Sequence, residues 1–367
     1  MTTVLATPTT RLGLVVSLTL AVMLVLTSPD VGADSAEQHQ HASQAAFSRG
    51  DLGAAETEAR LSLEEAERRF GSDDQRTGQA LMWLANVYLA KGQPAEATRN
   101  GKRALAISEK TLGPDHVETA AAMSMLASFY LAVGDFAEAE PLLRRSLAVK
   151  EKRFGPDHPY TAVASSYLAD LLANKGEYAD AEKLYKRALV AVEKAWAPAD
   201  PSVPIANRLM TPTIMEGLAH VYIGQSRIKE AEDLLKRAAR LRISIVGSDH
   251  PSSAGNWMIL GRVYQAQNRD ADAEKAYREA LRITEKATGS ENLTVSNLLA
   301  LVADSCLVQG KHDAAADLYS RSVAIDERIS APKPLRAKHL QGYANVLKVM
   351  GRAYDATQAE RRARELR

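Results

Sequence analysis

The chain contains one cysteine, Cys306, in 367 residues, and this excludes an internal disulfide framework or a cysteine-cluster metal site. Aromatic residues make up only 5% of the sequence. A core must then be built mostly from alanine and leucine, which suits closely packed helices better than a sheet sandwich. Neither sign of charge is in excess: 46 Lys and Arg stand against 45 Asp and Glu, a net of +1. Binders of nucleic acid driven by bulk charge carry a basic excess, so no nucleic-acid partner is expected. The sequence does have a 46% apolar content and a length that suits two ordinary domains or one long repeat array.

One long apolar run occurs, the sixteen residues 12–27 (LGLVVSLTLAVMLVLT), with Arg11 before it and the small residues Val31 and Ala33 after it. This pattern predicts a secretory signal peptide over residues 1–33, cleaved after Ala33. The rival reading is an uncleaved anchor, although sixteen residues at about 1.5 Å each span about 24 Å of a roughly 30 Å hydrocarbon core. No cysteine follows the run to carry a lipid of the bacterial lipoprotein kind. The expectation is an exported protein, periplasmic or secreted. Its one route to a membrane would be that N-terminal segment, left uncleaved.

The rest of the chain is periodic. Glycines stand at 50, 92, 134 and 176, each 42 residues after the last, and a second series, Gly71, Gly113 and Gly155, has the same spacing. The marker continues through Ser226, Asn268, Gly310 and Gly351 once an eight-residue insertion and a one-residue deletion are allowed. Within each unit one amphipathic segment ends at the marker and another starts just after it, as in TAVASSYLADLLANKG and EYADAEKLYKRALVAVEKAW. Each unit therefore reads as a helical hairpin, with the marker residue as C-cap and turn. Loops such as LGPDH, FGPDHP and GSDHP end one unit and open the next, with Asp expected to cap the following helix.

Small residues mark where the two helices cross. Ala55, Ala97, Ala139, Ala181, Ala231, Ala273, Ala315 and Ala356 lie five positions after the marker, and Ala85, Ala127, Ala169, Ala219, Gly261, Ala303 and Ala344 seven before it. Helices approach closely only where neither presents a large side chain. Bulky fillers flank the crossing: Leu84, Leu126, Leu168, Leu218 and Leu260 on first helices, Tyr185, Leu235, Tyr277 and Tyr319 on second helices. Cys306 falls inside a helix of this pattern and is expected to be buried.

At these residues the sequence resembles the tetratricopeptide repeat, in the 42-residue form of kinesin light chains and many bacterial proteins. The matching strings are LANVYLAKGQPAEA, LASFYLAVGDFAEAEPLLRRSLAVKEKRFGPDHP and LADLLANKGEYADAEKLYKRALVAVEK. The resemblance is strong over residues 76–330 and weaker over 36–75 and 333–367. It implies an all-α, right-handed superhelical solenoid of about eight antiparallel hairpins. The first helices of such a solenoid line a concave groove that usually docks peptides or proteins. No catalytic activity or cofactor comes with the family. Kinesin light chains carry paired Asn two and three positions before the small crossing residue. Here those places hold Met82 and Trp83, Ser124 and Met125, Ser166 and Tyr167, and Glu216 and Gly217, which counts against a light-chain-like cargo peptide.

If the resemblance holds, the position just after the small crossing residue faces the groove. It holds Asn86, Ser128, Asp170, His220, Arg262, Asp304 and Asn345, a polar and varied row suited to side-chain recognition of an extended segment, or to an ordinary solvated face. Trp83, Met125, Tyr167 and Met258 either offer apolar pockets or fill the core. The predicted organisation is residues 34–197 as repeats 1–4, a proline-rich insertion at 198–212, and repeats 5–8 over 213–367. The prolines of the insertion are expected to keep it out of helix, as a passive loop, a joint or a ligand loop.

Residues 34–75 carry ten acids and four bases, and residues 331–367 nine bases and three acids. Polar outer faces on terminal repeats explain this better than head-to-tail self-association. Asp115 with His116, Asp157 with His158 and Asp249 with His250 resemble acid/base pairs but recur at the repeat period, so they are expected to be structural. No metal-binding, phosphate-loop or nucleophile-elbow motif is present. The expected function is a non-catalytic scaffold or adaptor that holds a peptide or protein in the groove. The alternative is a structural part of a cell-envelope assembly that binds through convex or terminal surfaces.

Overall fold

A computed structural model of the chain describes residues 35–48, 51–197, 200 and 202–366. The apolar run at 12–27 and the cleavage position after Ala33 lie outside the described residues. Among the described residues there is no strand, and sixteen helices of three turns or more form eight antiparallel pairs. In chain order the hairpins are Ser35–Ser48 with Leu52–Phe70, Gln75–Ala90 with Pro94–Leu112, Val117–Val133 with Phe136–Phe154, and Pro159–Lys175 with Tyr178–Ala195. Then come Met210–Gly224 with Ile228–Val246, Ser252–Ala266 with Asp270–Thr288, Leu293–Val308 with His312–Arg328, and Lys333–Val349 with Ala353–Glu365. The chain forms two compact units that divide between Leu234 and Leu235. Within each unit, a second helix packs against the first helix of the next hairpin. No helix among the described residues is long and apolar enough to cross a membrane.

The crossing residues behave as their size predicts. Every alanine of the two series from Ala55 to Ala356 and Ala85 to Ala344 is at most 1% exposed. In the first hairpin Ser43 takes the crossing position, and its Oγ donates to the carbonyl of Ala55 at 2.6 Å, a direct measure of helix contact. Two turns further out a second close approach is fastened in the same way. Ser62 donates to the carbonyl of Ala36, Ser146 to that of Ala120 and Ser322 to that of Ser296, at 2.8, 2.6 and 2.9 Å.

The turns follow the marker residue. Gly134 and Gly176 adopt the left-handed conformation that closes a helix, and Ser226 and Asn268 are forced into it at φ 61° and 57°. In the loops between hairpins the structure corrects the expected cap. The capping side chain sits three residues after the second-series position, which is Asp74, His116, His158, His250 and Asn292, so in the Asp-His loops the histidine caps and the aspartate does not. His116 Nδ1 accepts from the amide of Glu118 at 3.3 Å and His158 Nδ1 from that of Tyr160 at 3.2 Å. The preceding Asp157 and Asp249 point outward instead, to Arg187 and to Arg282 and Lys286. The insertion is also corrected, since from Ile205 onward it is helical, as Ile205–Arg208 followed by Met210–Gly224. Pro204 stands before the first turn, and Pro212 lies in the first turn of its helix, where an amide would have no intrahelical acceptor to reach.

Charged side chains on the second helices join successive hairpins. In the first unit Arg103, Arg145 and Arg187 reach back to Glu67, Glu109 and Glu151, at 2.6, 2.8 and 3.7 Å. In the second, Arg321 reaches Glu285 and Arg362 reaches Glu327. A parallel series at the turn edge pairs Glu56 with Lys91, Glu140 with Lys175, Glu182 with Arg227 and Glu274 with Lys311. It lapses where Thr98 and Val133 replace the acid and the base, and Val133 is left exposed.

Candidate functional site

The row after the crossing residue divides by side-chain length. Asn86 and Ser128 are buried, at 8% and 1% exposure, and bond back to their own helix: Asn86 Nδ2 to the carbonyl of Met82, Ser128 Oγ to that of Met125. Asp170, His220, Arg262 and Asp304 are half-buried, and Asn345 is exposed, accepting from Gln341 at 3.3 Å. The first unit therefore presents Asp170 and His220, the second Arg262, Asp304 and Asn345. Trp83, Met125 and Tyr167 are buried in the core, whereas Met258 is half-buried. Cys306 is fully buried.

Two of the row's carboxylates are held from beneath by tyrosines. Tyr185 donates its hydroxyl to Asp170 Oδ1, and Tyr319 donates to Asp304 Oδ1. Each tyrosine follows its aspartate by fifteen residues. Burial pushes the Asp170 carboxyl up to about 7, against the opposing pull of the Tyr185 hydrogen bond. The Asp304 carboxyl is raised for the same reason, opposed by Tyr319 and by the nearby Lys338 and His339. At Arg262 the pattern changes with the charge: Tyr277, again fifteen residues on, donates to Gln265 Oε1 at 2.7 Å instead. A guanidinium cannot accept a hydrogen bond. Arg262 Nη1 is buried and has no hydrogen-bond partner among the described residues, and burial lowers the guanidinium pKa.

These tyrosines need room, which glycines supply. A Cβ on Gly217 would stand 2.5 Å from Tyr185 Cζ, and one on Gly342 would collide with Tyr319 in the same way. Both glycines lie two positions before a crossing alanine. Sequence reading treated the tyrosines as fillers and missed this role, although the fifteen-residue Asp-to-Tyr spacing and the glycine opposite were both legible.

A second polar group looks catalytic in composition. Ser296, Ser322, Asp326 and His339 are all at most 2% exposed. Ser296 donates to Asp326 Oδ1, while His339 Nδ1 lies 2.8 Å from Asp326 Oδ2, 3.0 Å from Ser322 Oγ and 3.3 Å from Ser296 Oγ. Carboxylate and hydroxyls converge on one ring nitrogen, whereas a nucleophile relay needs them on opposite nitrogens. The arrangement ties the last two hairpins together. Lys150 is also buried, with its ammonium pushed down to about 8 by burial alone and with no ionic partner among the described residues. No three His, Cys, Asp or Glu side chains among the described residues group as metal ligands.

A family model described as tetratricopeptide repeat matches residues 76–152, 118–194 and 210–286, together more than half of the chain. Among solved structures, BtubC (BKLC) from P. vanneervenii is 19% identical with a TM-score of 0.55, over 63% of this chain and 90% of that one. A signal transduction ATPase with a tetratricopeptide repeat sensor, PH0952 from Pyrococcus horikoshii, is 14% identical with a TM-score of 0.60, over 91% of this chain and 48% of that one. The apo form of RapI is 15% identical with a TM-score of 0.53, over 80% of this chain and 98% of that one. At these identities the likeness is one of fold. No curated protein matches the chain.

Proposed function

The chain belongs to the tetratricopeptide repeat family, and we propose that it is a non-catalytic scaffold that holds a peptide or protein segment against the first-helix face of its units. Repeats of this fold are generally interaction scaffolds, and their partners are proteins or peptides. One observation carries the choice of face. The ladders that join hairpin to hairpin pair many charged groups of the second helices, and in the first-helix row Arg262 keeps a buried guanidinium nitrogen with no acceptor among the described residues, in register with the half-buried carboxyl groups of Asp170 and Asp304. Surface charges already paired within a chain offer a partner little, while an unsatisfied donor gains a full hydrogen bond.

The apolar run at 12–27 and the small residues before Asp34 support export, with residues 1–33 removed. Mass determination of the protein recovered from cells tests this, with Asp34 the expected first residue.

The test of the binding face is affinity capture on the full chain from an extract of the source cells, beside a variant carrying Asp170→Lys and Arg262→Glu. The expected result is a protein retained by the wild type and lost by the variant while its helical signal is unchanged. Retention by both would move the interaction to the second helices or the ends.

A further inference from the structure

The second unit holds two groups of opposite charge that share a neighbour and do not pair. Arg262 and Asp304 occupy equivalent places on the first helices of successive hairpins. The phenol of Tyr277 feels both: the Arg262 guanidinium favours its ionisation and the Asp304 carboxylate opposes it. Yet no ion pair joins the two side chains. Tyr277 is already committed to Gln265, whose own Nε2 lies 3.4 Å from Ser305 Oγ. Asp304 has one oxygen on Tyr319. Among the described residues nothing accepts from Arg262 Nη1.

A guanidinium nitrogen shielded from water without an acceptor costs free energy, and the planar fork of the group matches a carboxylate. A uniformly acidic segment would satisfy Arg262 but meet repulsion at Asp304, and a uniformly basic one the reverse. Both helices pack on Asp270–Thr288 and both charged groups act on the one Tyr277 phenol, so a ligand must place its two charges within about 10 Å, which is about three residues of extended chain at about 3.3 Å each. We propose that the second unit recognises an extended segment carrying one acidic and one basic side chain about three residues apart, the acid on Arg262 and the base on Asp304. This rests on the binding face assigned above and adds the charge pattern of what binds there.

The test is a phage-displayed library of random twelve-residue peptides panned on the immobilised full chain. Recovered peptides are then synthesised with blocked ends and titrated against Arg262→Gln, Arg262→Lys, Asp304→Asn and the exchange of Arg262→Asp with Asp304→Arg. Thermal midpoints establish that each variant is folded, and Arg262→Lys retains the charge if Arg262→Gln does not fold. Recovered sequences should be enriched in an acid and a base about three apart. Arg262→Gln and Asp304→Asn should each weaken binding about tenfold or more, Arg262→Lys should weaken it less, and the exchange should select the opposite order. Peptides without that pairing, lost on Asn345→Lys but indifferent to Arg262→Gln and Asp304→Asn, would overturn this inference and leave the binding face standing. Peptides sensitive only to a second-helix change such as Arg321→Glu, or recovery of no peptide at all, would overturn both.

Discussion

Adding a single methyl group at Gly217 tests the packing beneath the row. Alanine is favoured over glycine inside a helix by about 1 kcal/mol, so helix propensity alone predicts that Gly217→Ala stabilises. Packing predicts the opposite, because the new Cβ would stand 2.5 Å from Cζ and Oη of Tyr185 and 2.6 Å from its Cε1. Overpacking of this kind costs about 1–3 kcal/mol, and pushing the phenol off Asp170 forfeits a hydrogen bond to a half-buried carboxyl, about 1–2 kcal/mol more. The sum is a net loss of about 1–4 kcal/mol. Gly255 is the control: it lies inside the helix Ser252–Ala266 and nothing stands within 4 Å of its virtual Cβ, so Gly255→Ala should gain about 1 kcal/mol. Urea denaturation followed by circular dichroism reads both. Adding Tyr185→Leu, the residue type found at the same register in Leu143 and Leu235, should restore much of what Gly217→Ala loses. Midpoints that rise in both single variants would refute the reasoning.

Other expectations follow from the same contacts. Arg262→Met should stabilise the unliganded chain by about 1 kcal/mol, read as a higher denaturation midpoint, since it removes an unpaired buried donor; a fall would contradict that. Asp170 holds its proton up to about pH 7 when folded and to about pH 4 when unfolded, so the native state binds more protons between those values and stability falls as pH rises through the window, by a few kcal/mol at most. Asp170→Asn should abolish that slope in midpoints measured from pH 4 to 8, and an unchanged slope would assign it elsewhere. Glu274→Gln should cost about 1–3 kcal/mol, because Lys311, Arg278 and Gln309 all converge on that shielded carboxylate, whereas the exposed pair broken by Glu109→Gln should cost about 0.5 kcal/mol or less. Equal losses would undo the distinction. In the buried cluster, His339→Leu alone should cost about 3–5 kcal/mol by stranding Asp326, while Asp326→Leu added to it should recover most of the loss in the same denaturation assay.

What was legible in the sequence is whatever repeats. The crossing alanines, the left-handed turns that persist at Ser226 and Asn268, and the burial of Cys306 all follow from size or backbone conformation at a fixed period. Contacts between repeats were harder to read, because each joins residues whose separation is close to the period without equalling it. The second-helix ladder joins Glu67 to Arg103, Glu109 to Arg145 and Glu285 to Arg321 at a constant 36-residue spacing. A search for unlike charges at that spacing would find it. The row itself was legible as a register, not as a surface. Asn86 and Ser128 share the register of Asp170 yet turn back to their own helix, because a short polar side chain finds the carbonyl three or four residues earlier before it reaches outward. In the loops, histidine took a cap expected of aspartate because register decides which side chain lies over the free amides, and an imidazole nitrogen accepts there as a carboxylate does.

The most direct test of the binding face is hydrogen exchange of the full chain, followed by mass spectrometry, with and without the captured partner. The account predicts slower exchange on binding in the first helices that carry the half-buried row, Pro159–Lys175 and Met210–Gly224 in one unit and Ser252–Ala266 and Leu293–Val308 in the other, with the second helices unchanged. Protection confined to second helices such as Phe136–Phe154 and His312–Arg328, or to the terminal hairpins, would contradict it.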